Sequence, residues 1–189
     1  MSDGLLIFYD TETTGFVHGS KPISDEKQPH IVQLAAQLVT PENETVQEFS
    51  LIVDPGIAQG VHIPSKLANE VHGIDDAKAE KFGVNANTAI DFFMHLHSFA
   101  ETRVAHNDDF DKEIIKIARY RRAGQDPGDL GSTPYCTMKV CKRVVPGGKS
   151  NLQTSYQHFF GESFGGAHDA MNDVRACRRI YFHLKGLGH

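Results

Sequence analysis

The sequence has few cysteines and no apolar stretch long enough to cross a bilayer. Its three cysteines, Cys136, Cys141 and Cys177, are odd in number and have no paired spacing, so they indicate neither a disulfide framework nor a zinc site and favour a reducing compartment. The start of the chain, Met-Ser-Asp-Gly, carries neither a basic flank nor a long apolar segment that ends in small residues. We therefore expect a cytoplasmic protein with no membrane partner.

Internal repeats, low-complexity tracts and interdomain linkers are also absent from the sequence. The chain has 189 residues, of which 40% are hydrophobic and 23% are charged, as is ordinary for a globular protein. A chain of this length can bury a substantial core without disulfides or metals. We expect a single domain over residues 1–189.

Positive charge is scarce overall but concentrated in one region. The formal net charge is −5; residues 1–111 hold 6 Lys/Arg against 18 Asp/Glu, whereas residues 112–149 hold 9 against 3. This basic region fits two interpretations, one side of a groove that contacts a phosphate backbone or the solvated face of a helix. Its cations are Lys112, Lys116, Arg119, Arg121, Arg122, Lys139, Lys142, Arg143 and Lys149.

Residues 4–15 combine a buried strand with two carboxylates. The apolar run Leu5–Tyr9 predicts a strand that is buried on both faces, because a half-buried strand would alternate with polar residues. Asp10 and Glu12 follow at its carboxyl end, and the pleat period of two places them on the same side of the backbone. Two hard oxygen donors held this close suit Mg²⁺ or Mn²⁺, and residues 13–15 add hydroxyls and an approachable backbone for a phosphate or sugar. The alternative is a loop start followed by a solvated turn residue.

The rest of the chain shows both strand and helix patterns. Residues 31–40 and 45–54 alternate in hydrophobicity around a turn and predict a hairpin beside the first strand, hence a mixed sheet. Short strands are predicted at 103–107 and 134–137, and helices at 64–71, 85–99, 112–123, 138–144, 151–160 and 169–184. This order of elements indicates an α/β fold.

Acidic residues and one histidine lie near the starts of two predicted helices. Asp111 falls in the first turn of the middle helix, where the helix dipole favours a carboxylate. Asp108 is predicted to be the N-cap of that helix, and Asp109 has no predicted role. His168 follows a glycine-rich segment and lies five residues before Asp173, which is about one turn into the last helix. A histidine in such a place is commonly structural, but its spacing from an acid favours a site.

Four acids from three separated segments make one candidate site. If Asp10, Glu12, Asp111 and Asp173 meet at one point, they repel one another strongly unless cations lie among them. Two divalent metals about 3.5–4 Å apart would stabilise the cluster and build a phosphoryl-transfer site. Neutral His168 would then take the proton from the attacking water, a task that suits its near-neutral reference pKa.

Three motifs in this order resemble the DnaQ-like 3′→5′ exonucleases of the DEDD superfamily, in the branch with a histidine base. They are Phe8-Tyr9-Asp10-Thr11-Glu12-Thr13-Thr14-Gly15, Ala105-His106-Asn107-Asp108-Asp109-Phe110-Asp111, and His168 with four intervening residues before Asp173. The segment Val71-His72-Gly73-Ile74 resembles the family's sequence between the first two motifs. The segment Cys136-Thr137-Met138-Lys139 is most similar to exonuclease X and related stand-alone or phage members.

The resemblance implies a ribonuclease-H-like fold, with a mixed five-stranded sheet flanked by helices. It implies release of nucleoside 5′-monophosphates from a nucleic acid with a free 3′ end, DNA in preference to RNA, with two divalent cations, Mg²⁺ or Mn²⁺, and His168 as the general base. The implied metal ligands are Asp10, Glu12, Asp111 and Asp173. The implied substrate-binding residues are Thr13, Thr14, Gly15, His72 and Asn107. Any proofreading role would need a polymerase or replisome partner on a separate chain.

Two alternatives and one departure from the family pattern accompany this interpretation. A haloacid-dehalogenase-like phosphatase also begins with an apolar strand and Asp-x-Asp-x-Thr, but here Glu12 replaces the second aspartate and His168 would have no role. A nuclease-like module that binds nucleic acid or a polymerase without catalysis would have no use for the carboxylate cluster. Asp108 and Asp109 stand where the family often has small apolar residues. Their carboxylates would raise metal affinity, repel substrate, or point into solvent.

Overall fold

The computed structural model describes residues 4–148 and 150–189 and shows a six-stranded mixed sheet. The strands are β1 (Leu6–Thr13), β2 (Ile31–Val39), β3 (Thr45–Asp54), β4 (Val84–Asn85), β5 (Thr102–Ala105) and β6 (Thr133–Cys136), in the spatial order β4-β3-β2-β1-β5-β6. The helices are α1 (Ser65–Glu70), α2 (Asp76–Phe82), α3 (Ala86–His97), α4 (Asp108–Ala123), α5 (Thr137–Val144), α6 (Leu152–Phe160) and α7 (Ala170–Gly186).

β1 lies inside the sheet, between β2 and β5. It pairs antiparallel with β2 and parallel with β5, and β6 pairs parallel with β5. On the other side, β3 is antiparallel to β2, and β4 is parallel to β3. Because parallel neighbours end at the same edge of a sheet, the carboxyl ends of β1, β5 and β6 lie together. The helices that follow β5 and β6 therefore begin near the carboxylates of β1.

β1 is buried on both faces, as its apolar sequence predicts. Ile7 and Tyr9 pack in a cluster with residues of α3 and α4, whereas Leu6 and Phe8 pack in a second cluster with residues of α7. The alternation of side chains continues along the strand, so Asp10 and later even-numbered positions face α7 and odd-numbered positions face α4. The end of β1 thus presents polar side chains to both flanking helices.

The α/β class is confirmed, and the sheet has one strand more than predicted. The additional strand, β4, comprises only Val84–Asn85, which is too short to show a hydrophobic period. Helix α2, whose N-cap Asp75 accepts the main-chain N–H of Lys78, is also not predicted from the sequence pattern. β1 does not stop before the carboxylates but continues through them to Thr13.

α5 and α6 pack against α7 in a separate apolar cluster that includes Val140, Tyr156 and Ile180. This layer holds α7 against the sheet on the face opposite α3 and α4, with the first turn of α7 at the end of β1. No helix of the described residues has both the length and the apolar character needed to cross a membrane.

Candidate active site

Asp10 and Glu12 lie near the carboxyl end of β1, on the face covered by α7. Burial raises the pKa of Glu12 to about 8, and the charges of Asp173 and Asp111 act in the same direction. Burial likewise raises the pKa of Asp10 well above its usual value, assisted by the charges of Asp111, Asp173 and Glu12. Each carboxylate is therefore destabilised by the others unless positive charge lies among them.

Asp111, in the first turn of α4, is held by Thr11 of β1. The main-chain N–H and the hydroxyl of Thr11 both donate to Oδ1 of Asp111, at 3.0 Å and 2.7 Å. Burial raises the pKa of Asp111 to about 7, although the hydrogen bonds from Thr11 lower it. The motif alone assigns no role to Thr11. The strand alternation places Thr11 on the side of β1 opposite Asp10 and Glu12, but no local pattern shows that α4 packs on that side.

Asp173 reaches the same place from α7. Its Oδ2 accepts the main-chain N–H of His168 at 3.1 Å, whereas its buried Oδ1 has no hydrogen-bond partner among the described residues. Burial raises the pKa of Asp173 to about 6, and the hydrogen bond from His168 opposes this change. A buried carboxylate oxygen without a partner is unusual in native proteins and is explained where an ion or water is its partner.

His168 lies at the open rim of the cluster. Its backbone is in the left-handed region, with φ 66°, and its side chain is 58% exposed, with Nδ1 4.0 Å from Oε1 of Glu12. Ligand atoms of Glu12, His168 and Asp173 all lie within 4.8 Å of one another, a spacing that could accommodate one metal ion. The structure thus places the predicted catalytic residues around one point, with Asp10 and Asp111 close enough to perturb the other carboxylates.

A fifth carboxylate, Asp169, lies beside the cluster and is absent from the motif-based prediction. It caps α7 by accepting the main-chain N–H of Asn172 at 3.2 Å, and its Oδ2 accepts a hydrogen bond from Nε2 of Gln33 at 3.1 Å. Oε1 of Gln33 accepts the main-chain N–H of Ala170 at 3.2 Å. Gln33, a buried side chain of β2, therefore clamps the start of the helix that carries Asp173.

The two acids that depart from the family pattern are both paired with cations. Asp108 is not the predicted N-cap but the first residue of α4, and it is 2% exposed. Its Oδ1 accepts hydrogen bonds from the hydroxyl of Tyr9 at 2.9 Å and from Nε of Arg103 at 3.1 Å. Asp109 is exposed and forms an ion pair with Lys139 at 2.6 Å. Both charges are therefore compensated by cations outside the carboxylate cluster.

The predicted substrate-binding residues lie around the end of β1. The hydroxyl of Thr13 donates to the carbonyl of Gly15 at 2.6 Å, and Oγ1 of Thr14 accepts the main-chain N–H of His30 at 3.0 Å. These hydrogen bonds shape the turn after β1. A Cβ added at Gly15 would meet no atom within 4 Å, so the backbone there is open to a ligand.

The side chain of His72 forms a hydrogen bond within the protein, whereas that of Asn107 forms none with the start of α4. His72 is 8% exposed, and its Nδ1 accepts the main-chain N–H of Ile74 at 3.2 Å. Burial lowers the pKa of His72, which favours the neutral ring. Asn107 precedes α4 with φ 108° and makes no side-chain cap hydrogen bond. Its amide group is thus not used in capping α4.

A model of the exonuclease family RNase_T matches residues 7–181 of the chain. The chain belongs to this exonuclease family. The match confirms the predicted membership among the DnaQ-like exonucleases and identifies the chain as a nuclease. A relative by sequence is the DNA polymerase III subunit epsilon of Aquifex aeolicus, which is 26% identical over 184 residues that cover 96% of this chain and 81% of that protein.

Two solved structures show the same fold. Exonuclease I of E. coli in complex with a dT13 oligonucleotide has a TM-score of 0.76 and 20% identity, and the similarity covers 96% of this chain and 41% of that chain. The nuclease domain of 3′hExo, a DEDDh family member bound to rAMP, has a TM-score of 0.71 and 13% identity over 98% of this chain and 93% of that chain. The predicted ribonuclease-H-like fold is thereby confirmed. The chain spans about four-tenths of the E. coli enzyme.

Proposed function

We propose that this exonuclease-family chain is a divalent-metal-dependent 3′→5′ exonuclease that degrades DNA from a free 3′ end and releases nucleoside 5′-monophosphates. The carboxylate cluster, with His168 at its rim, is the observation on which the proposal rests. Two of the similar proteins support DNA as the substrate: the E. coli exonuclease I structure contains dT13, and the A. aeolicus relative is a DNA polymerase subunit. The latter also supports a polymerase as a partner on a separate chain.

The donor set fits hard divalent cations. All four acids offer carboxylate oxygens, the ligands that Mg²⁺ and Mn²⁺ prefer, and Oδ1 of Asp173 is buried without a partner among the described residues. Burial raises the pKa values of Asp10 and Glu12, and the charges of the neighbouring acids raise them further, so cations among the acids would stabilise the charged carboxylates. Asp10, Glu12, Asp111 and Asp173 would hold two such cations. Bound there, the cations would acidify a water and stabilise charge on the phosphate.

The chain's own residues would orient the substrate and move one proton. His168, exposed beside Glu12, would accept the proton of the attacking water as its oxygen bonds to the scissile phosphorus. The bond from phosphorus to the 3′ oxygen then breaks, and that oxygen leaves with a proton from solvent. The open turn at residues 13–15, together with His72 and Asn107, would hold the terminal nucleotide in line for this displacement.

The test is cleavage of a 5′-labelled dT20 oligonucleotide with Mg²⁺ or Mn²⁺, beside a matched RNA. We expect a ladder that shortens from the 3′ end, stops with EDTA and is greatly weakened by His168→Ala. Asp126→Asn, which removes an exposed charge 3.6 Å from Lys116, is the matched control and should cleave like the wild type. Absence of cleavage by a wild-type protein that still binds Mg²⁺ and dT20 would contradict the proposal and indicate a binding module.

A further inference from the structure

Some cationic side chains of the basic region, residues 112–149, have partners within the protein, and others have none within the described part of the chain. Arg119 and Arg121 donate to main-chain carbonyl groups of neighbouring loops. Lys116 and Arg122 form ion pairs with aspartates. These four side chains are therefore engaged within the protein, and the region is not one continuous phosphate-binding stripe. Lys149, which the sequence analysis grouped with them, lies outside the described residues.

The remaining cations of this region include three that line a cleft over the β6 edge of the sheet, between the first turn of α4 and α5. The cleft has a volume of about 330 Å³. We call it the α4–α5 cleft; the charged residues that line it are Arg103, Asp108, Asp109, Lys112, Lys139 and Arg143. Lys112 and Arg143 form no ion pair with any other residue that the structure describes.

The charge of the α4–α5 cleft favours an anion. Asp108 compensates Arg103, and Asp109 compensates Lys139. Two cations at the cleft therefore remain without a compensating carboxylate. The N-terminus of α5 carries the positive end of its helix dipole, and no acidic residue in the first turn neutralises it. The dipole therefore adds to the positive potential in the cleft.

The α4–α5 cleft lies beside the carboxylate cluster. Asp109 and Lys112 flank Asp111 in sequence at the start of α4. β6 is two strands away from β1, which corresponds to about 10 Å at the usual spacing of neighbouring strands. A separation of this size is small enough for one strand to reach the cleft and the carboxylate cluster together, a few nucleotides apart.

We propose that the α4–α5 cleft binds the phosphate backbone of the substrate strand, a few nucleotides before its 3′ end. Lys112, Lys139 and Arg143 are the phosphate contacts. Asp109 competes with the phosphate for Lys139, because the two groups form an ion pair at 2.6 Å in the free protein. This assignment rests on the proposed exonuclease function, since it places the 3′ end at the carboxylate cluster.

The test measures binding and chemistry separately. Binding of 5′-fluorescein dT20 is followed by anisotropy in EDTA at several salt concentrations, and chemistry is followed with the p-nitrophenyl ester of thymidine 5′-monophosphate, which is too short to reach the cleft. We expect Lys112→Ala and Arg143→Ala each to weaken dT20 binding and to make the slope of log affinity against log salt shallower by about 0.7. Hydrolysis of the ester should be unchanged, and Asp109→Asn should tighten dT20 binding.

Lys81→Ala is the matched control, because it removes one exposed charge from α2, which packs against β3 on the other side of the sheet. If Lys112→Ala and Arg143→Ala bind dT20 like Lys81→Ala, the cleft does not hold the strand. Equal losses on dT20 and on the ester would also overturn the proposal, because they would indicate damage to the catalytic cluster. A wild-type protein that binds dT20 but hydrolyses neither compound contradicts the proposed function, and the binding comparison still decides the role of the cleft.

Discussion

Thr11 of β1 contacts one oxygen of Asp111 on α4 twice, through its main-chain N–H at 3.0 Å and its hydroxyl at 2.7 Å. The two donors act against burial, which by itself favours protonation of Asp111. They also restrict the rotamer of the carboxylate and join the sheet to α4 at the candidate site. Thr11 is therefore a positioning residue for Asp111.

Thr11→Val should lower kcat by about tenfold with little change in KM. The variant keeps the side-chain shape and the main-chain hydrogen bond but loses the hydroxyl donor, and a hydrogen bond to a charged group contributes about 1.5–3 kcal/mol. The measurement is steady-state hydrolysis of dT20 over a series of Mg²⁺ concentrations. Thr11→Ser, which retains the hydroxyl, should restore most of the activity. If the serine variant is as slow as the valine variant, the hydroxyl does not position Asp111.

Without divalent cations, the folded protein should lose stability as the pH rises from about 4 to about 8. Glu12, Asp111 and Asp173 have folded-state pKa values of about 8, about 7 and about 6, all above the values of 4.5 for Glu and 3.8 for Asp that apply without the fold. Over this range the folded state retains protons that the unfolded state has released. The free energy of unfolding therefore falls, by up to about 1.4 kcal/mol per pH unit for each retained proton.

Urea unfolding at pH 5, 6.5 and 8, in EDTA and in saturating Mg²⁺, measures this dependence. Cations bound among the carboxylates would stabilise their charged forms, so Mg²⁺ should reduce or reverse the slope. Glu12→Gln removes one of the retained protons and should flatten the slope in EDTA. Stability that rises with pH in EDTA would contradict the electrostatic description of the cluster.

Gln33→Glu should impair catalysis, and Asp169→Asn should rescue it. The new carboxylate at position 33 would lose the donor to Asp169 and repel its charge, so the start of α7 would shift and kcat should fall by about tenfold. In the double variant, the new amide at position 169 can donate to the new carboxylate, which still accepts the N–H of Ala170. Kinetics and thermal unfolding of both single variants and the double variant measure the coupling. A double variant no faster than Gln33→Glu alone would show that the clamp does not position the site.

The alternation of side chains along a strand is a local property, so the sequence alone predicts which residues of β1 share a side. Because successive side chains of a strand point to opposite faces, Asp10 and Glu12 are predicted on one side of the backbone. The observed strand runs through both residues to Thr13. Which helix each face meets depends on tertiary packing. The contacts of Thr11 with α4 and of Gln33 with α7 join residues about 100 or more positions apart, and no local pattern encodes them.

Asp108 lies inside α4, although the sequence predicts it as the N-cap. An aspartate just before a helix commonly caps it, but here Asn107 takes the cap position and Asp108 enters the helix buried. The structure gives the reason: Arg103, in the strand five residues earlier, is 3% exposed, and its buried guanidinium requires a counterion. The choice among Asp108, Asp109 and Asp111 as that counterion depends on the exact rotation of α4.

Hydrolysis by this chain should depend on the negative charge of its carboxylate cluster. The most direct measurement is kcat for dT20 in saturating Mg²⁺ with Asp111→Asn, which preserves the volume of the side chain and an acceptor for Thr11 but removes the charge. We expect kcat to fall by about 10³-fold, since loss of a metal ligand removes several kcal/mol of transition-state stabilisation, while the thermal unfolding temperature in EDTA stays at or above that of the wild type. A kcat within tenfold of the wild-type value would show that hydrolysis does not need the charge of Asp111.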